Sequence, residues 1–182
     1  MKSAIWYTDF AGMERVLSAN VSKNRPNWHH PGSKAVAGDR AIASNYSGSM
    51  AKTVPLGIRG EVQRRVEFQH TLTAWRSELP SVLSTPHMIG WMEAAGFHAL
   101  LPFCEGDEVS VGTAINVNHR APSGIGALVS CEAVLESING RFLTFRVTAQ
   151  DENQVIGHGT IGRAIVSKGK FEEKFRGAKS GS

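Results

Sequence analysis

Between Glu78 and Glu105 the only formally charged side chain is Glu93, set among Ile89, Met92, Ala94, Ala95, Phe97 and Leu100. Burying an ionised carboxylate without partners is costly, so Glu93 is expected either to have a raised pKa or to meet strong donors on a facing element. Both outcomes suit a catalytic group; a wet helix face or a tie between helix and sheet would explain the residue equally well. Thr85 stands ahead of Pro86, and the plain reading of that pair is a helix N-cap followed by proline at the first helical position. The same place offers amide donors and the positive end of a helix dipole, which favour a polarised carbonyl or an anionic intermediate. His119 precedes the turn-forming run Arg120-Ala121-Pro122-Ser123-Gly124, so its ring falls at a strand end or loop, where function is often carried. A lone histidine is more often structural, and His70, His87, His98 and His158 show how little the residue type discriminates by itself.

The elements that must hold these residues are legible as periodicities. Val62, Val66, Phe68 and Leu72 alternate with Gln63, Arg65, Glu67 and Gln69, the pattern of a half-buried strand. Sixteen residues of helix-compatible sequence follow Thr85-Pro86, with the helix expected to end near Phe103 to Gly106. Val109, Val111, Thr113, Ile115 and Val117 alternate next, and residues 127–138, 141–150 and 154–166 repeat the pattern. Asn139-Gly140 is a strong two-residue hairpin signal. A strand, a mostly apolar helix and four strands joined by short turns predict an α+β domain with an antiparallel sheet curled around the helix. Two thin layers leave apolar area uncovered, so a homodimer is expected.

Composition narrows the classes of function. The chain is 41% apolar and 20% charged, as globular proteins are. Residues 1–49 hold 6 of the 20 Lys and Arg and 3 of the 16 Asp and Glu, leaving a nearly neutral body of 14 against 13. That body has no sequence-wide footprint for nucleic acid or anionic lipid. Cys104 and Cys131 lie 27 apart without CxxC spacing, suggesting neither a disulfide framework nor a zinc site and fitting reduced thiols in cytoplasm. The short apolar run before Asp9 is too little for a signal peptide, and the Met88–Phe103 stretch, interrupted by Glu93 and His98, falls short of a membrane span. No HExxH or clustered ligand spacing occurs, and His29-His30 is only an adjacent pair, so no metal or other cofactor is expected. Gly157-His158-Gly159-Thr160-Ile161-Gly162 matches GxGxxG literally, but it sits inside the last strand pattern with no βαβ unit after it, and a dinucleotide site is rejected. Ser49, Ser81 and Ser123 lack a GxSxG elbow.

Residues 20–52 are rich in Ser, Asn, Gly and Pro without sustained periodicity, which reads as linker or disorder. Residues 4–17 carry Trp6, Phe10, Met13 and Leu17 at spacing compatible with a short helix. The expected division is an extension over 1–52, a domain over 53–176 and a tail over 177–182, with Met50 a candidate internal start.

Thr85-Pro86, Met92-Glu93, Ser110-Val111-Gly112-Thr113, Asn118-His119, Pro122-Ser123-Gly124, Gly140-Arg141 and Gly159-Thr160-x-x-Arg163 together resemble, in order and spacing, the fluoroacetyl-CoA thioesterase-like family of hotdog-fold proteins. The resemblance covers roughly residues 60–175. It implies a hotdog fold and hydrolysis of a short or small acyl-CoA thioester, with acyl-CoA as substrate. In the family a threonine at the helix entrance, a glutamate on the central helix and a histidine at a strand end form the catalytic set, and these match Thr85, Glu93 and His119. Gly112 and Arg163 match positions at the acyl-thioester site, the glycine admitting the acyl group and the arginine positioning substrate or anchoring the site. Fluoroacetyl specialists place aromatic residues before the threonine, whereas this segment reads Thr73-Ala74-Trp75-Arg76-Ser77-Glu78-Leu79, a departure that concerns substrate rather than reaction. Two other readings share the residues. One is a hotdog hydratase of enoyl thioesters, whose usual Asp/His signature is not evident; the other is a non-catalytic acyl-CoA-binding or sensor module, against which the retained polar trio argues.

Overall fold

The run after Ser84 folds as a single helix because its apolar residues recur on one stripe: Met88, Met92, Ala95, Gly96, Ala99 and Leu100 are buried while Thr85, Pro86 and Gly90 face outward. Burying each of its larger apolar side chains contributes about 1.5–3 kcal/mol, and Met88, Met92 and Leu100 are wholly buried. The computed structural model describes residues 6–8, 14–16 and 53–178, and the chain divides into two units, Met1–Asn45 and Tyr46–Ser182.

In the first unit, β1 (Trp6–Thr8) pairs antiparallel with β2 (Glu14–Val16), so the helix expected over 4–17 is not formed. Trp, Tyr, Thr and Val favour strands, and Gly12 sits where a helix would be weakened. The rest of the 1–52 extension lies outside the described residues.

In the second unit, β3 (Arg59–Arg65) and a 3₁₀ turn at Phe68–His70 precede α1 (Thr85–Leu100), which runs into a second 3₁₀ turn at Leu101–Phe103. Then come β4 (Glu108–His119), β5 (Leu128–Asn139), β6 (Phe142–Gln150), β7 (Val155–Ser167) and α2 (Lys168–Ala178). The five strands form one antiparallel sheet in the order β3-β5-β6-β7-β4, leaving β4 at an edge. The sheet curls around α1, as the alternating patterns predict. On β6 the period of two is unbroken: Leu143, Phe145, Val147 and Ala149 are buried and pack with Val129, Cys131, Ala133, Leu135 and Ile161 beneath the helix. At Gly60 an added Cβ would collide with the carbonyl of Ala95 and the amide of Ala99, so glycine is what lets α1 approach β3 this closely.

Several boundaries differ from expectation for local reasons. The first strand pattern stops at Arg65; Phe68 is exposed, and Glu67 and His70 close the 3₁₀ turn with a reciprocal capping box. The hairpin after β5 turns on Gly140-Arg141 rather than Asn139-Gly140, since Asn139 pairs with Phe142 and Gly140 alone takes a positive φ of 59°. Helix α2 lies in a segment assigned no element from sequence. Its first turn is held by Asp107, which accepts from Ser167 Oγ at 2.6 Å and from the Gly169 amide at 3.2 Å, while Ser167 Oγ caps the Lys170 amide at 3.3 Å. Among the described residues no helix is long and apolar enough to cross a membrane.

Candidate active site

Ser84, not Thr85, is the N-cap of α1: its backbone is extended, its carbonyl accepts from the Met88 amide at 3.1 Å, and Thr85 is the first helical residue. The one-residue shift matters chemically. Ser84 Oγ lies 2.8 Å from His87 Nδ1, and the Thr85 hydroxyl, released from capping, lies 3.0 Å from Nδ1 of His119. His119 is the last residue of β4. The chain leaving it is fixed by the amides of Arg120 and Ala121, both donating to the Ile156 carbonyl. Farther along, buried Ser123 donates from Oγ to Asp151 at 2.7 Å and accepts from the Leu83 amide at 2.8 Å. That clamp binds the turn after His119 to the segment entering α1, and so helps to fix the distance between the Thr85 and His119 side chains. Asp151 also accepts from the amides of Asn153 and Gln154; burial opposes ionisation, yet the Ser123 hydroxyl and these amides hold its carboxyl below the ordinary value.

Burial, partly opposed by the backbone of Ala121, pushes the His119 imidazole down from its ordinary pKa and so favours the neutral ring. Its Nε2 is buried without a hydrogen-bond partner among the described residues. An imidazole 3.0 Å from a hydroxyl, at the positive end of a sixteen-residue helix, is a geometry in which the ring can accept the hydroxyl proton.

Glu93 belongs to a second group. It lies two helical turns beyond Thr85, about 12 Å along the axis, and its side chain is a third exposed. Of the two outcomes expected for it, the structure supplies the donors on the facing sheet: Arg163 NH1 is 3.6 Å from Glu93 Oε1 and donates to the Glu93 carbonyl at 3.1 Å. Arg163, only 5% exposed, lies on β7 opposite Gly112 of β4. Burial lowers its pKa, against the opposing pull of Glu93 and then Cys104, and a guanidinium stays charged regardless. At Gly112 an added Cβ would strike Glu93 Oε1, so this glycine makes room for the carboxylate. One residue on, Thr113 is bulged out of the β4–β7 ladder. Within one chain, then, the structure joins Thr85 with His119, and Glu93 with Arg163 and Gly112, as two groups.

Comparison with known proteins follows from this geometry. Residues 66–169 match the family described as fluoroacetyl-CoA-specific thioesterase. The fluoroacetyl-CoA thioesterase of Streptantibioticus cattleyicolor is 43% identical over 100 residues, 55% of this chain and 72% of that protein. This chain belongs to the fluoroacetyl-CoA-specific thioesterase family. As a family member it has the hotdog fold and the enzyme class of thioester hydrolases. A solved structure of the fluoroacetyl-CoA thioesterase FlK aligns with a TM-score of 0.65 and 36% identity, over 69% of this chain and 97% of that one. A Thermus thermophilus thioesterase superfamily member aligns with a TM-score of 0.67 and 29% identity, over 71% and 96%.

For this thioesterase family member, sequence reasoning passed over two groups. Ser110, buried beneath the helix, holds Arg163; its only signal was a place in the Ser110-Val111-Gly112-Thr113 motif. Beside the entrance of α1, His70 stacks edge-on against His87 at 5.2 Å and Trp91 at 5.1 Å between ring centroids. Trp75, half exposed, tilts toward His87 at 6.5 Å. His87 and Trp91 share a face of α1 at i,i+4 spacing, but no spacing in the sequence joins His70 to them.

Proposed function

We propose that this protein hydrolyses a small acyl-CoA thioester to the free acid and coenzyme A in the cytoplasm, and that it works as a homodimer. The observation that carries the reading is the 3.0 Å pairing of Thr85 Oγ1 with His119 Nδ1 at the helix entrance. In this reading the Thr85 hydroxyl gives its proton to Nδ1 as Oγ1 bonds to the thioester carbonyl carbon. The charge that develops on the carbonyl oxygen is favoured by the positive end of α1. The carbon–sulfur bond then breaks, and the departing thiolate takes the proton back from His119. A water that gives its proton to Glu93 attacks the acyl-threonine, and Thr85 leaves with a proton as the acid is released. The net change is one thioester and one water for one acid and one thiol.

The dimer is proposed because Glu93 stands about 12 Å from Thr85 along its own helix, while β4, which carries both His119 and Gly112, has an edge that no other strand pairs with among the described residues. A second copy on that edge supplies its Glu93 to the Thr85–His119 pair of the first. With Trp75 half exposed and no aromatic residue other than it among residues 73–79, the acyl group is small without being restricted to fluoroacetyl.

The test is release of free thiol from acetyl-, fluoroacetyl-, propionyl-, butyryl- and benzoyl-CoA by the full chain. Hydrolysis of at least one small acyl ester is expected, with His119→Ala lowering turnover by about 10²–10⁴-fold. Binding of these esters without thiol release would replace the hydrolase with a binding module, and near-normal turnover in His119→Ala would remove the imidazole from the chemistry.

A further inference from the structure

Arg163 is placed by family resemblance at the acyl-thioester site, yet its guanidinium has no face left for a substrate. It is 5% exposed, and each of its three nitrogens is engaged. Nε donates to Ser110 Oγ at 2.6 Å, NH2 donates to the Ser110 carbonyl at 2.9 Å, and NH1 donates to the Glu93 carbonyl at 3.1 Å while lying 3.6 Å from Glu93 Oε1. Ser110 therefore grips one edge of the planar fork with both of its oxygens, and the geometry of the fork sends the remaining corner toward Glu93. The enclosure is built for this. Ser110 is itself 6% exposed and sits two residues before Gly112 on the same inward side of β4. On α1, a Cβ at Gly96 would press against Arg163 Cδ at 3.0 Å, so glycine there admits the stem of the arginine.

We infer that Ser110 is a positioning residue for the proposed hydrolysis, acting through Arg163 to hold the Glu93 carboxylate in the space above Gly112. The inference rests on the thioesterase reading and assigns Arg163 a role as the strut of Glu93 rather than a contact of the acyl group. Losing the Ser110 hydroxyl leaves a buried Nε–H without its acceptor and frees the fork to turn. Glu93 then loses its aim, while Ser110 itself, 6% exposed, offers no surface to a substrate.

A double-mutant cycle on the full-length protein tests this, with the acyl-CoA ester that the wild-type protein cleaves best. Ser110→Ala is expected to lower kcat about tenfold with KM within about twofold, and Ser110→Thr, which keeps the hydroxyl, to restore most of the loss. In a Glu93→Gln background, Ser110→Ala is expected to change the residual turnover by less than about twofold, because the group it aims is gone. Arg163→Lys, which keeps the charge but not the fork, is expected to follow the same pattern and serves should Ser110→Ala not fold. A tenfold loss that persists in the Glu93→Gln background would make Ser110 merely structural. A rise confined to KM would return Arg163 to substrate binding, and unchanged kcat in Ser110→Ala would end the inference. Each of these leaves thiol release by the wild-type protein intact. Absence of that release would instead defeat the thioesterase reading, and this inference with it.

Discussion

At Gly112 the absent side chain is as informative as those present, because a methyl group there would occupy the position of Glu93 Oε1. The atom it meets is the far end of a flexible side chain, so Gly112→Ala is accommodated by swinging the carboxylate away from Arg163 rather than by moving backbone. Turnover is expected to fall about 10²-fold, with the urea midpoint nearly unchanged, as thiol release and equilibrium unfolding of the same sample would show. Unaltered turnover would mean that the position of this carboxylate is not required. The cysteines contrast with this site. Burial drives the Cys131 thiol up to about 12 and also raises that of Cys104, where Glu108 adds to the effect, so neither thiol is a ready nucleophile at neutral pH.

The elements were legible to the extent that one period controlled them. On β6 the alternation Leu143, Phe145, Val147, Ala149 is also the burial pattern, because both neighbours and the helix enforce one face. The helix was equally legible, but its entrance was misplaced by one residue, since Ser84 and Thr85 are chemically similar caps and only backbone angles separate them. That one residue turns Thr85 from a cap into a partner of His119. Helix α2 was invisible because its start depends on Asp107, sixty residues away in the chain from Ser167. Of the candidate site, the residue types and the solitary acid could be read; the separation of Glu93 from Thr85 and the grip of Ser110 on Arg163 are consequences of pairing register, which periodicity does not encode. Packing of α1 on β3 supplies an expectation at this scale. Gly60→Ala sets a Cβ against helix backbone at Ala95 and Ala99, neither of which can rotate away. The substitution is expected to cost about 1–3 kcal/mol, read as a lower urea midpoint with an unchanged slope. A neutral result would show that α1 can retreat from the sheet without loss.

At the scale of the whole second unit, the decisive feature is the edge of β4, which no other strand covers among the described residues. Residues 112–116 are all exposed, and Ile115 is 52% exposed although its ladder partner Ile161 is wholly buried. A long edge strand carrying an apolar side chain is a template for another strand. Gly112 and His119 are equally distant from the midpoint of Ile115 and Asn116, so two copies joined antiparallel about that midpoint bring His119 of one close to Gly112 of the other. In the proposed dimer Glu93, which overlies Gly112, would reach toward the Thr85–His119 pair of the second copy, and the two groups that a single chain holds apart would form one site. The arrangement has a quantitative consequence. Thr85→Ala and Glu93→Gln are each expected to keep only a small residual turnover alone, far below one quarter of wild type. A mixed dimer combines the intact Thr85–His119 pair of one variant with the intact Glu93 of the other, giving one native site and one doubly defective site. Equal amounts of the two, unfolded together and refolded, should therefore recover about one quarter of wild-type thiol release if copies pair at random. Recovery is expected to track the fraction of mixed dimer separated by charge, since Glu93→Gln removes one negative charge per copy. A mixture that stays inactive although mixed dimers form would place all three groups of each site within one chain and would require α1 to bend between Thr85 and Glu93.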